Sequence, residues 1–281
     1  MLRRKVAGIL TIAISAAMIC TACGSGNQQS PAAAQDSSAK EASAEQPSAD
    51  SSAADESAPA EADAAADASA ETEKPADTAA VHPYAWMGLE DIPSCKTLDI
   101  MSTNHYIWTY NAYTMSFSSE ETEAVDGVNT YKKNDSQRTY SINGKIFSIN
   151  DSSKQYMKID MSETIETAKS ALEAAMKEGT NYIGRSYVGT GKEAIPEYSK
   201  SADDKTEYEF YEYNYPASEE AGTGSMTEKY YMKDGDVFAI YQKTTLGDTD
   251  YEYVRVIKSI SADIPKGTFK LPNLDGYKEM E

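Results

Sequence analysis

From Gly24 to Ala80 the only apolar side chain is alanine: Leu, Ile, Val, Met and every aromatic are absent over 57 residues. Such a stretch cannot bury enough surface to offset the entropy of ordering it, so any core must come from residues beyond it. Pro31, Pro47, Pro59 and Pro75 interrupt helices that the Ala-rich runs would begin. Twelve Asp and Glu against Lys40 and Lys74 make the segment repel itself and extend. As a coil it would average roughly 40 Å end to end, with a contour limit of about 200 Å. Composition therefore predicts a spacer over 23–80, with residues 81–281 as a single domain large enough to bury a core without disulfides or metals.

Ahead of the spacer, Arg3-Arg4-Lys5 is a basic start, and Val6 to Ile19 is an apolar run broken only by Gly8, Thr11 and Ser15. As a helix this run would reach about 21 Å, short of a hydrocarbon core about 30 Å thick, so it is expected to be a cleaved leader over 1–22. Cys20-Thr21-Ala22-Cys23-Gly24-Ser25 follows. It resembles the lipobox of bacterial lipoproteins, with Cys20 where that family usually has Leu. The resemblance implies cleavage before Cys23, a diacylglycerol on its thiol, and a protein held at the extracytoplasmic face of the cell membrane. Cleavage at Cys20 would instead place bulky Ile19 beside the cut. The acidic Ser/Ala-rich tether resembles those of surface lipoproteins of Gram-positive bacteria. Two acyl chains suffice for stable anchoring without a membrane-spanning helix.

The formal charge of −19 becomes about −22 once Arg3, Arg4 and Lys5 leave with the leader. No cluster of Lys and Arg and no nucleic-acid motif follows residue 5, which argues against a nucleic-acid partner. Beyond Cys20 and Cys23 the remaining cysteine is Cys95, expected as a small buried residue rather than a nucleophile served by His82 or His105.

Within 81–281, β-branched and aromatic residues fall in short runs separated by turn signals. Asn143-Gly144 and Asp234-Gly235 between such runs predict tight hairpins. Asp126-Gly127, Asn134-Asp135, Asn150 to Ser153 and Leu246 to Asp248 mark further turns. One helix is predicted over Ser162 to Lys177, opened by Asp160 and Glu163 as a capping box and closed by Gly179, with Ile165, Ala168, Leu172, Ala175 and Met176 as its apolar stripe. A weaker helical piece lies between Leu89 and Met101, interrupted by Pro93. The expected fold class is α+β: a strongly curved antiparallel sheet, half-barrel-like, of about ten strands packed on one main helix.

Both faces of that sheet read as apolar. If His105 to Phe117 is a regular strand, Tyr106, Trp108 and Tyr110 face one way while Ile107, Tyr113, Met115 and Phe117 face the other. Val237 to Tyr241 behaves alike, as do Tyr251, Tyr253 and Ile257 against Val254 and Val256. A sheet apolar on both faces must be covered on both, and one helix of about 24 Å cannot cover ten strands. Curvature, the segment Pro83 to Met101 or a bound apolar ligand must supply the rest. The strand order, the Gly144-Lys145-Ile146-Phe147 and Tyr231-Met232-Lys233-Asp234-Gly235 hairpins, and the closing Gly267-Thr268-Phe269-Lys270-Leu271-Pro272 resemble the half-barrel lipoproteins related to Lol-type lipoprotein carriers and mycobacterial lipid-carrying lipoproteins. The resemblance spans about residues 98 to 279 and implies a curved sheet closing over helices around a lipid cavity, although no long N-terminal helix is evident.

No nucleophile elbow, phosphate loop, zinc-protease helix or dinucleotide fingerprint is present, and no cofactor is expected. Gly184-Arg185-Ser186 and Gly189-Thr190-Gly191 are too short for phosphate loops. Asp234-x-Asp236 and Asp248-x-Asp250 offer calcium-like oxygens, but hairpin turns explain them more simply. Glu120-Glu121, Asp203-Asp204 and Glu219-Glu220 are expected to be solvated. The leading expectation is a non-enzymatic module binding a lipid or amphiphile, with Tyr106, Trp108, Tyr110, Phe210 and Tyr213 as candidate lining. An interaction or sensor domain is the alternative, and a hydrolase comes third. The anchor is tested by fatty-acid labelling: the wild type is expected to incorporate label and Cys23→Ala to lose it. Equal labelling would remove the assignment.

Overall fold

The computed structural model describes residues 81–215, 224–246 and 249–280; Cys23, the leader, the tether, Glu219, Glu220 and Asp248 lie outside the described residues. Twelve strands form one curved, open sheet in the order β12-β6-β5-β4-β3-β2-β1-β11-β10-β9-β8-β7. They are β1 (His105–Tyr113), β2 (Ser118–Asp126), β3 (Asn129–Lys133), β4 (Gln137–Ile142), β5 (Lys145–Asn150), β6 (Gln155–Asp160), β7 (Ser186–Ala194), β8 (Glu207–Tyr215), β9 (Ser225–Lys233), β10 (Asp236–Leu246), β11 (Thr249–Ser261) and β12 (Lys278–Met280). The helices are α1 (Lys96–Ser102), α2 (Ser162–Glu178) and α3 (Tyr198–Ala202). The α+β class holds, with two corrections. Twelve strands lie among the described residues, against about ten expected, and β12 pairs with β6 in parallel, so the sheet is mixed.

Two meanders, β1 to β6 and β7 to β11, meet where β1 pairs antiparallel with β11. Both predicted tight turns form. Asn143-Gly144 and Asp234-Gly235 take left-handed φ at both positions, which such two-residue turns require. Asn134 and Asn150 close their loops by accepting backbone N–H bonds onto the side chain. β1 stops at Tyr113, and Met115 and Phe117 sit exposed in the turn that follows, so the long regular strand expected through Phe117 is shorter. The Thr114 N–H donates to the Phe117 carbonyl and reverses the chain there.

Helix α2 buries the expected stripe: Ala168, Leu172 and Ala175 are covered, with Met176 packed beside them. The capping box is absent. Met161 is the first cap residue, and Asp160 instead accepts from the Ser162 N–H. Gly179 closes the helix in the left-handed conformation with its N–H on the Ala175 carbonyl.

Both apolar faces are covered, each by a different device. On the helix-bearing face, Tyr84, Trp86, Met87, Leu89, Ile92, Leu98 and Met101 pack with Leu172 and Ala175 onto Trp108, Tyr110, Tyr213, Tyr230, Val237 and Ile240. Polar bonds fasten this cover: the Tyr84 hydroxyl donates to Asp99 and accepts from the Cys95 N–H, and the Trp86 indole donates to the Ser102 carbonyl. Asp236 accepts the Thr97 N–H at the start of α1, tying that helix to the β9–β10 hairpin. On the opposite face, Ile195 and Tyr198 cover Tyr208, Phe210, Tyr231, Ala239, Tyr241, Val254 and Val256. A bulge between Val237 and Ala239 lets β10 send Val237 and Ile240 to one core and Ala239 and Tyr241 to the other.

Gly144 fixes the seating of α2 against the sheet. Its φ is +75, its carbonyl accepts the Met161 N–H, and a Cβ there would lie 2.7 Å from the Ser162 Cα. Gly144→Ala is expected to destabilise the protein by about 1–3 kcal/mol in urea unfolding, because backbone strain and a backbone clash act together. An unchanged midpoint would show that the helix start yields freely.

Candidate functional site

Between α2 and the sheet lies a cavity of ≈ 300 Å³, at the small end of ligand-site volumes. Its roof is Ile165, Ala168 and Leu172 of α2. Trp86, Met87, Leu89 and Met101 close one side, and Tyr182, Ile183 and Arg185 enter from the connection between α2 and β7. The floor is the inner face of the sheet, where strand alternation aims Tyr106 and Trp108 of β1, Glu123 and Val125 of β2, Ile240 and Gln242 of β10 and Arg255 of β11.

The walls are mostly apolar, yet the floor carries a buried ionic cluster. Glu228 is 3 % exposed. One of its oxygens accepts from the Tyr215 and Tyr230 hydroxyls, each at 2.8 Å, and the other from the Gln242 amide at 2.8 Å. Arg185 lies 3.1 Å from Glu228 and donates to the Tyr230 hydroxyl. Burial alone would raise the Glu228 carboxyl, but Arg185, Arg255 and the tyrosine hydroxyls outweigh it and hold it below the usual carboxylate range.

A second cluster lies further along the same face. Glu121 and Lys132 form an ion pair at 2.8 Å, with side chains 3 % and 9 % exposed. Tyr110 and Tyr253 donate to Glu121 at 3.0 and 2.8 Å. Burial pushes the Glu121 carboxyl up, and Lys132 with both hydroxyls brings it below its ordinary value. The expectation of a solvated Glu120-Glu121 pair is corrected by half. Strand alternation sends Glu120 outward to Lys258 and Glu121 inward beneath Tyr110.

Of the five candidate lining residues, Tyr106 and Trp108 border the cavity. Tyr110 is fully buried beside it, engaged with Glu121 and Glu123. Tyr213 belongs to the same core but not to the cavity wall. Phe210 requires a correction: it sits in the core on the opposite face. Positions 210 and 213 differ by an odd number on β8, so a regular strand cannot point both to one side. Cys95 is buried with its thiol pushed up to about 11, chiefly by burial.

Glu228, Arg255 and Lys132 stand in no sequence motif, while Arg185 enters only through the short Gly184-Arg185-Ser186 run and Glu121 only as half of a solvated pair. The available signal was alternation: Arg255 lies between Val254 and Val256, and Glu228 two residues from Tyr230, so inner-face parity already places them inward. Of the acidic turn residues, Asp236 accepts from the Thr97 and Val237 N–H groups, and Asp250 pairs with Lys243 and accepts from Thr245. Among the described residues no group of three His, Cys, Asp or Glu could hold a metal, and no helix is long and apolar enough to cross a membrane.

Several buried donors of cavity-lining residues have no acceptor among the described residues: Trp108 Nε1, Arg185 Nε, Arg255 Nε and the Tyr182 hydroxyl. Each unmet buried donor costs about 1–3 kcal/mol. Two further unmatched hydroxyls, Tyr213 and Ser199, lie away from the cavity, but all the unmatched N–H donors belong to residues that line it.

The chain matches no family model and no curated protein. Among solved structures it is similar to an uncharacterized conserved protein from Thermus thermophilus, with a TM-score of 0.38 and 8% identity over 65% of this chain and 95% of that one. It is also similar to a putative outer membrane lipoprotein-sorting protein domain from Vibrio parahaemolyticus, with a TM-score of 0.29 and 7% identity over 62% of this chain and 95% of that one. Likenesses this distant bear on neither the family nor the chemistry of the cavity.

The two carboxylates give the site a pH signature. Their folded-state affinities for protons are depressed, so the stability they contribute is present above the unfolded glutamate value of about 4.3 and is lost as pH falls below it. Thermal midpoints are expected to hold from pH 7 to about 5 and to drop toward about pH 3, with a shallower drop in Glu121→Gln. An identical slope in that variant would remove Glu121 from the account.

Proposed function

We propose that the protein is a non-enzymatic binding module for a lipid or amphiphile, carried at the extracytoplasmic face of the membrane by an acylated Cys23 and a long acidic spacer. The observation that carries the binding reading is the cavity itself, which lies between α2 and the sheet and joins mainly apolar walls to a floor of buried charges. An apolar chain gains from leaving water along Ile165, Leu172, Met87 and Met101, at about 25 cal/mol per Å² buried, while a polar head has charged and hydrogen-bonding partners at Arg255 and Gln242. The anchor and the compartment rest on the leader pattern and the cysteine that ends it. The spacer allows such a domain to work tens of ångströms from the bilayer, and it confines any exchange of ligand to partners within that reach.

Native mass spectrometry of the full chain, before and after organic extraction, tests the binding reading. Non-covalent mass that disappears on extraction is expected, and Ala168→Phe, which fills the roof of the cavity, should abolish it while the thermal midpoint shows a folded protein. Clean apo protein that also takes up no added amphiphile would favour a ligand-free interaction domain instead.

A further inference from the structure

We infer that the cavity takes an amphiphile head-first, with an oxyanion head, a carboxylate or a phosphate, seated on Arg255 and the Trp108 indole. This assignment rests on the cavity being an amphiphile site and goes further by naming the chemistry and placement of the head.

Arg255 is the cation with donors to spare. It is 4 % exposed and lines the cavity floor. Its nearest carboxylate among the described residues is Glu228 at 3.7 Å, beyond hydrogen-bonding length, and its Nε has no acceptor. Glu228 turns its other oxygen to Tyr215, Tyr230 and Arg185, and the oxygen nearer Arg255 accepts from Gln242 instead. Its guanidinium lies over Trp108 at 5.3 Å and over Tyr253 at 5.8 Å. Neither contact supplies an acceptor in the ring plane, so the arginine's N–H groups keep donors for another partner.

Trp108 supplies an independent second observation. It is 2 % exposed, borders the cavity, and its Nε1–H lacks an acceptor. Arg185 Nε is unmatched as well and lies against the same cavity. An indole N–H and guanidinium N–H groups can only donate, so what satisfies them must be rich in acceptors. A carboxylate or phosphate is acceptor-only and matches a guanidinium edge with two parallel bonds, whereas an ammonium head offers no acceptor and a hydroxyl offers one oxygen. Glu123, Glu163 and Glu228 outnumber the two arginines around the cavity, so the discrimination comes from hydrogen-bond direction at the arginine donors and not from net charge.

Both tryptophans of the chain, Trp86 and Trp108, border the cavity, so intrinsic fluorescence reports its occupancy directly. Four probes with one chain length and different heads, namely dodecanoate, dodecyl phosphate, dodecanol and dodecyltrimethylammonium, are titrated into the full chain below their micelle concentrations. At least one of the two anions is expected to bind tenfold or more tightly than dodecanol, with the ammonium weakest. A preference for one anion identifies the head as carboxylate or phosphate. Arg255→Met is expected to abolish the anion's advantage, weakening that anion at least tenfold more than it weakens dodecanol. If all four heads bind alike, the oxyanion assignment is overturned and the amphiphile cavity stands. If none binds, both fall. Should Arg255→Met fail to fold, the head-group series on the wild type decides alone.

Discussion

The chain between β6 and β7 must cross the helix-bearing face, because β6 lies next to one edge of the sheet and β7 forms the other. Ten strand spacings separate them, about 48 Å if the sheet were flat. Helix α2 supplies about 25 Å of that, and the residues from Gly179 to Arg185 would have to be fully taut to supply the rest. They are not taut: Tyr182 bonds back to Trp86, and Asn181 accepts the Gly184 N–H in a local turn. The sheet therefore has to curl toward the helix. The cavity lies beneath the N-terminal part of α2, lined by Ile165, Ala168 and Leu172.

The same geometry explains why charges tolerate this interior. Three cations, Lys132, Arg185 and Arg255, share the inner face with three carboxylates, Glu121, Glu123 and Glu228, carried by β2, β3, β9, β11 and the connection between α2 and β7. Ion pairs this deeply buried rarely add stability over well-packed apolar side chains, since removing both partners from water offsets their attraction. Their presence instead gives the inner face a polarity that a purely apolar core would lack. The tyrosines serve this purpose more than they serve stacking: Tyr110, Tyr215, Tyr230 and Tyr253 all direct hydroxyls at the two central glutamates.

Much of this fold was legible in the sequence because its signals are local. Asn143-Gly144, Asp234-Gly235 and the stripe from Ile165 to Met176 each need only a few neighbouring residues to be read. The apolar character of both sheet faces also foretold two covers, and the two cores are those covers. What escaped depends on pairing between distant segments. Nothing near Glu121 announces Lys132 or Tyr253 as its partners, because their adjacency is made by the register of β2 with β3 and by a tyrosine reaching across β1 from β11. Phe210 was misplaced for the opposite reason, a local one: its side chain obeys the two-residue period, and an aromatic three positions away does not share its side. The short β12 carries three exposed residues and no apolar pattern, so only its place beside β6 makes it a strand.

The seam between β1 and β11 has a bearing on how the molecule is assembled. Every other antiparallel pairing joins strands that follow one another along the chain, whereas this one matches Ile107 with Ser261, the first strand with the eleventh. Each meander can be built from short loops at little entropic cost, but the seam requires one large closure. Until it forms, the inner edges of both meanders are open, and afterwards each protects the other. The folded sheet is in this sense two small sheets, made complete by their most expensive contact.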